Sequence, residues 1–103
     1  MTHRVLTTPA FWAALEHELP GDSEPAWHQF ASYDLQRVIG VFRDAWDGLP
    51  HTLSPDYRTA IGAGSIGWWA ATGQWERDLA EIHLVDITVQ AYPPDMFEIS
   101  GDV

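Results

Sequence analysis

The chain has no cysteine, and its five cationic residues are all arginine. Without thiols there are no disulfide frameworks, thiolate zinc sites or cysteine nucleophiles. Without lysine, five arginines face 15 acids, and the formal net charge is −10. Phosphate contacts need a basic surface, so no nucleic-acid partner is expected. The charge suits a basic protein partner, and it also keeps a small protein dispersed. Arginine as the only cation, with abundant Ala, Gly, Asp and Trp, fits the codon bias of a GC-rich bacterial genome. Long apolar runs are missing as well. None reaches the roughly 18 residues of a membrane span, and the first residues lack a charged-then-apolar export pattern. A cytoplasmic protein with no membrane partner is expected. At 103 residues the chain has room for a single domain, 1–103, around one core.

Charge is also absent locally. Residues 59–75 carry none, yet they hold three of the six Trp and four of the eight Gly. An acidic end follows, in which residues 75–103 set seven acids against Arg77.

Within the neutral stretch, Gly62-Ala63-Gly64-Ser65-Ile66-Gly67 spells G-x-G-x-x-G. Asp86 lies 24 residues after Gly62 and ends the run Ile82-His83-Leu84-Val85. On these residues, 60–87 resembles the first βαβ unit of the nicotinamide-dependent dehydrogenases, over about a quarter of the chain. The resemblance implies a pyrophosphate against Gly62, Gly64 and Gly67 at a helix N-terminus, with Asp86 on the ribose hydroxyls. The flanks favour another reading. Only Ala60 and Ile61 suit a buried strand ahead of the glycines, and too few strands follow Asp86. Ser54-Pro55-Asp56 combines an N-cap, a first-turn Pro and a first-turn acid. Continued as a helix, it gathers Ala60, Ala63, Gly64, Gly67 and Ala71 within an arc of about 100°. A close-packed helix over 54–72 is therefore expected, with Gly73 as its C-terminal stop and no cofactor.

Elsewhere Thr8-Pro9 opens a helix with Phe11, Trp12, Leu15 and Leu19 on one face. Ser23-Glu24-Pro25 begins a second, carrying Trp27, Phe30 and Ala31. Asp34 is placed as a fresh N-cap before the period Leu35, Val38, Ile39, Phe42, Ala45, Trp46 and Leu49. Arg4–Thr7 reads as a short edge strand. Val85, Ile87, Val89 and Ala91 alternate as a half-buried strand, while Ile82 and Leu84 fall on the other face and predict a bulge near Leu84-Val85 or a helix-to-strand switch. Phe97 and Ile99 begin a last short strand. The expected fold is α+β and mainly helical, with three to four helices and a small antiparallel sheet built on strand 84–91.

Catalytic spacing is missing. No two histidines stand at i, i+4, and no serine sits in G-x-S-x-G. Glu81, His83 and Asp86 are the nearest approach to a ligand cluster, and no metal is expected. The aromatics stand out instead. Trp68 and Trp69 are adjacent and cannot face one core from a helix. Trp68, Trp69 and Trp75, with Glu76, Asp78 and Glu81, form the candidate partner surface. The expected function is a non-enzymatic, acidic protein-binding module, such as a bacterial immunity protein or an antitoxin-like inhibitor of a basic partner. The alternative is a small-molecule or nucleotide site at Gly62–Gly67 beside the Trp residues. Homo-oligomerisation through a strand edge is a third arrangement.

Overall fold

The computed structural model describes residues 3–19, 28–52 and 54–92. The expected helix start at Ser23-Glu24-Pro25, with Trp27, and the expected strand at Phe97–Ile99 lie outside the described residues. Strand β1 (Arg4–Thr7) leads into helix α1 (Pro9–Glu18). Thr8 caps α1, its Oγ1 accepting the Phe11 N–H at 3.3 Å. The same hydroxyl donates to the Leu84 carbonyl at 2.8 Å, so the cap also clamps the helix to the sheet. Phe11, Leu15 and Leu19 are buried along one side.

The second helix is continuous where a joint was expected. A π-helical turn, Phe30–Asp34, runs straight into α2 (Leu35–Ala45), and a 3₁₀ turn, Trp46–Gly48, ends it. Asp34 has helical backbone angles and caps nothing. Its side chain reaches away from the helix to Ser65 instead. The apolar period holds, with Leu35, Val38, Phe42 and Trp46 all buried.

The largest correction concerns residues 54–76. They are not helical. Ser54–Asp56 forms a turn closed by the Tyr57 N–H on the Ser54 carbonyl at 3.0 Å. Two antiparallel strands follow, β2 (Tyr57–Ala63) and β3 (Gly67–Glu76), and Gly73 lies inside β3. Local chemistry and tertiary context agree on this outcome. Each glycine would cost a helix up to about 1 kcal/mol against Ala, while Tyr57, Thr59, Ile61, Trp68, Trp69 and Thr72 favour a pleated surface. The small residues at i, i+3 and i+4 alternate between the two faces of a strand, and Ala and Gly are small enough for either face once a partner strand is present. That partner is β4 (Glu81–Ala91), which extends three residues before the expected start.

The sheet is four-stranded and mixed, in the order β1-β4-β3-β2, with β1 parallel to β4 and the other pairs antiparallel. With two helices among the described residues, the chain is α+β but not mainly helical, and its sheet is not a small antiparallel one. The bulge falls where the side-chain pattern placed it. Thr72 pairs with Asp86 and Gly73 with Leu84, which leaves Val85 as the extra residue. Ile82, Leu84 and Ile87 therefore all turn inward, where they meet Phe11, Leu15, Val38 and Phe42 in one core. Gly73 makes room for this packing, because a Cβ there would stand 2.9 Å from Cε1 of Phe42. The opposite sheet face carries no helix among the described residues. No described helix is long and apolar enough to cross a membrane.

Candidate partner-binding surface

The glycine motif is a hairpin tip. The Gly64 N–H donates to the Gly67 carbonyl at 2.9 Å and closes the β2–β3 turn around Ser65 and Ile66. Buried Asp34 receives this tip. Its carboxylate accepts the Ser65 N–H at 2.9 and 3.0 Å and the Ser65 hydroxyl at 2.7 Å. The glycines are close-approach positions. A Cβ at Gly64 would stand 3.0 Å from the Asp34 carboxylate, and one at Gly62 would stand 2.5 Å from the Trp69 ring. One at Gly67 would stand 2.0 Å from the Gln90 carbonyl oxygen. Tyr92 seals the tip from the other side, its hydroxyl donating to the Gly64 carbonyl at 2.6 Å. Gly67 opens a strand, so no helix N-terminus follows the motif. Asp86 is exposed on β4, accepts its own neighbour's Ile87 N–H at 2.9 Å, and faces Thr72. Thr72 is five strand steps from Gly67, about 17 Å. Gly64 and Gly67 close the turn, Gly62 lies beside it in β2, and Asp86 does not join them.

The partner candidates separate into three places. Alternation along β3 sends the adjacent tryptophans to opposite faces. Trp69 is 3% exposed, in the core over Gly62, whereas Trp68 is 40% exposed on the open face. Trp75, Glu76, Asp78 and Glu81 sit at the far end of the hairpin, about 23 Å along the strand from Trp68. There Asp78 is exposed, and Trp75 and Glu76 are half-buried. Glu81 is buried and already paired, with His83 Nε2 at 2.9 Å and Arg4 at 3.7 Å.

One residue on the open face was not singled out from sequence. Ile61 is 76% exposed, and it stands opposite Ala70, two residues from Trp68. Ile61 and Trp68 are therefore diagonal neighbours across the β2–β3 pair. Its signal lies in a β-branched residue within a neutral stretch, which a helix over 54–72 leaves to one side of the small-residue seam. Tyr92 buttresses Trp68 edge-on, with ring centroids 4.7 Å apart. A depression of about 360 Å³ lies here, whose lining includes Ile61, Trp68, Trp69, Thr88, Val89 and Glu18. Glu18 comes from the end of α1 and accepts the Val89 N–H at 3.1 Å. The site thus combines an aromatic anchor, an aliphatic neighbour and an acid. Among the described residues, no group of three or more His, Asp or Glu is placed to hold a metal ion.

The chain matches no known family model, and no curated protein or solved structure shows significant similarity to it.

Proposed function

We propose that the chain is a non-enzymatic, acidic protein-binding module of the bacterial cytoplasm. In concrete form it is an immunity-protein or antitoxin-like inhibitor that covers a basic partner. The observation that carries this reading is the pair Trp68 and Ile61, 40% and 76% exposed on a sheet face that no described helix covers. Exposed tryptophan beside an aliphatic residue is a common anchor of protein interfaces. The net charge of −10 adds long-range attraction for a basic surface, which chiefly raises the association rate. Trp69 supports the anchor from beneath rather than touching the partner. Asp78 and Glu76 belong to the acidic field at the other end of the hairpin. The nucleotide alternative at Gly62–Gly67 draws no support from its surroundings, because the chain's own side chains and backbone already fill the space at each glycine.

The test is comparative capture. Immobilised wild-type protein and the double variant W68A/I61S are exposed to the same bacterial lysate at low and at high salt. The expected result is a basic protein held by the wild type, weakened by salt and lost with the variant, while circular dichroism of the two proteins agrees. Identical retention by both would reject the surface, and the absence of any basic protein at low salt would reject the reading.

A further inference from the structure

Two of the chain's five arginines line one pocket at the open end of the hairpin, remote from Trp68. We infer that this pocket, walled by Trp46, Trp75 and Arg58, binds a small planar carboxylate. Its volume is about 340 Å³, within the range of small-ligand clefts. The site is separate from the partner surface and does not rest on it.

Arg58 is the central group. Its Nη1 donates to the carbonyls of Trp46, Asp47 and Leu49 at 2.9, 3.0 and 3.2 Å. The guanidinium carbon lies 5.3 Å from the Trp46 ring centroid. These contacts fix the plane of the guanidinium and leave its other nitrogens for another acceptor. Nε is buried without a partner, and so is Nε2 of His3 in the same pocket wall. The described residues hold only one other such side-chain atom, Nε1 of Trp69, which belongs to the core. A buried donor rarely stays unpaired, so the Arg58 Nε–H points to an occupant with an acceptor, and His3 Nε2 adds a second donor when it carries the ring proton.

The neighbouring charges give that occupant its sign. Asp56 is paired with Arg77 at 3.3 Å, and the Asp47 carboxylate stands 3.7 Å from His3. A cation entering here meets two arginines, and of the two lining carboxylates Asp56 is held by Arg77 while Asp47 is exposed. An anion meets the held guanidinium of Arg58 and the exposed one of Arg77, and charge-assisted bonds from guanidinium to carboxylate are among the strong hydrogen bonds of proteins. The walls favour a flat body. Trp46 and Trp75 lie 6.4 Å apart at 33°, and His3 meets Trp75 edge-on at 5.4 Å. Both unpaired nitrogens are buried, on residues that line the pocket. For a carboxylate to reach His3, the Asp47 side chain, 78% exposed, must turn away.

The experiment is a titration of ¹⁵N-labelled protein with sodium benzoate, with benzylamine, benzyl alcohol and acetate as comparators. The signals read are the indole N–H of Trp46 and of Trp75 and the Nε–H of Arg58. Benzoate is expected to move all three saturably, at least about tenfold more tightly than any comparator. Arg77→Ala, with its spectrum otherwise folded, should weaken benzoate about fivefold or more by removing a cation and freeing Asp56. Asp56→Asn should tighten it by releasing Arg77. The inference is overturned if the three signals stay still, if benzylamine saturates them equally, or if neither variant changes the affinity.

Discussion

Gly67→Ala is the substitution whose outcome separates a hairpin from a helix by its sign. Gly67 is the first residue of β3 and pairs with Ala91. An added Cβ would stand 2.0 Å from the Gln90 carbonyl oxygen and 2.7 Å from Ala91 Cα, both backbone atoms that no rotamer change can move. Ordinary carbon–oxygen contacts begin near 3.3 Å, so the strands must part locally by about 1.3 Å. The last rung of the β3–β4 ladder then opens. It takes with it the Tyr92 N–H bond to Ile66, the Tyr92 hydroxyl bond to Gly64 and the edge-on contact of Tyr92 with Trp68. At about 1 kcal/mol for each hydrogen bond and about 1 for the aromatic pair, the expected loss is about 3 kcal/mol. In a helix the same change would be stabilising by up to about 1 kcal/mol. Urea unfolding followed by circular dichroism measures the difference. Gly48→Ala is the control, because nothing lies within 4 Å of a Cβ there, and it should stay within about 0.5 kcal/mol of the wild type. A Gly67→Ala protein as stable as the wild type, at unchanged denaturant slope, would refute the close approach of the two strands.

Three further outcomes are expected. Asp34→Ala should cost about 2–3 kcal/mol in urea unfolding and speed amide exchange at Ser65, because it removes a charged acceptor from the hairpin tip; Asp34→Asn, which keeps one acceptor oxygen, should lose about half as much. Ala80 sits at φ 52° in the β3–β4 turn, so Ala80→Gly should raise stability by up to about 1 kcal/mol and the thermal midpoint with it. Trp69→Ala should cost about 3–5 kcal/mol, whereas Trp68→Ala should change stability far less, and equal losses in thermal melts of the two would contradict the assignment of one to the core and the other to the surface.

The sequence by itself determined the elements whose signals are local. Thr8-Pro9 caps α1 as its side-chain chemistry dictates, because a cap needs only the residues of the first turn. The 3.6-residue period from Leu35 to Trp46 buries the side it marks. The parity of Ile82 and Leu84 against Ile87 marks a break near Leu84-Val85, either a bulge or a helix-to-strand switch, and the pairing with β3 decides for the bulge. Tertiary structure decided the neutral stretch from 59 to 75. Glycine and alanine carry little period of their own, and the Ser54-Pro55 pair that starts a helix starts a turn equally well. The register against β4, distant in sequence, chose the strand. That choice, through the pleat, put Trp69 in the core and left Trp68 beside Ile61 on the surface. The same long-range contact gave Asp34 its task, 31 residues from the serine it holds. It also joined His3, Trp46, Arg58 and Trp75 at one pocket, because the ends of β1, α2, β2 and β3 converge only once the sheet is assembled.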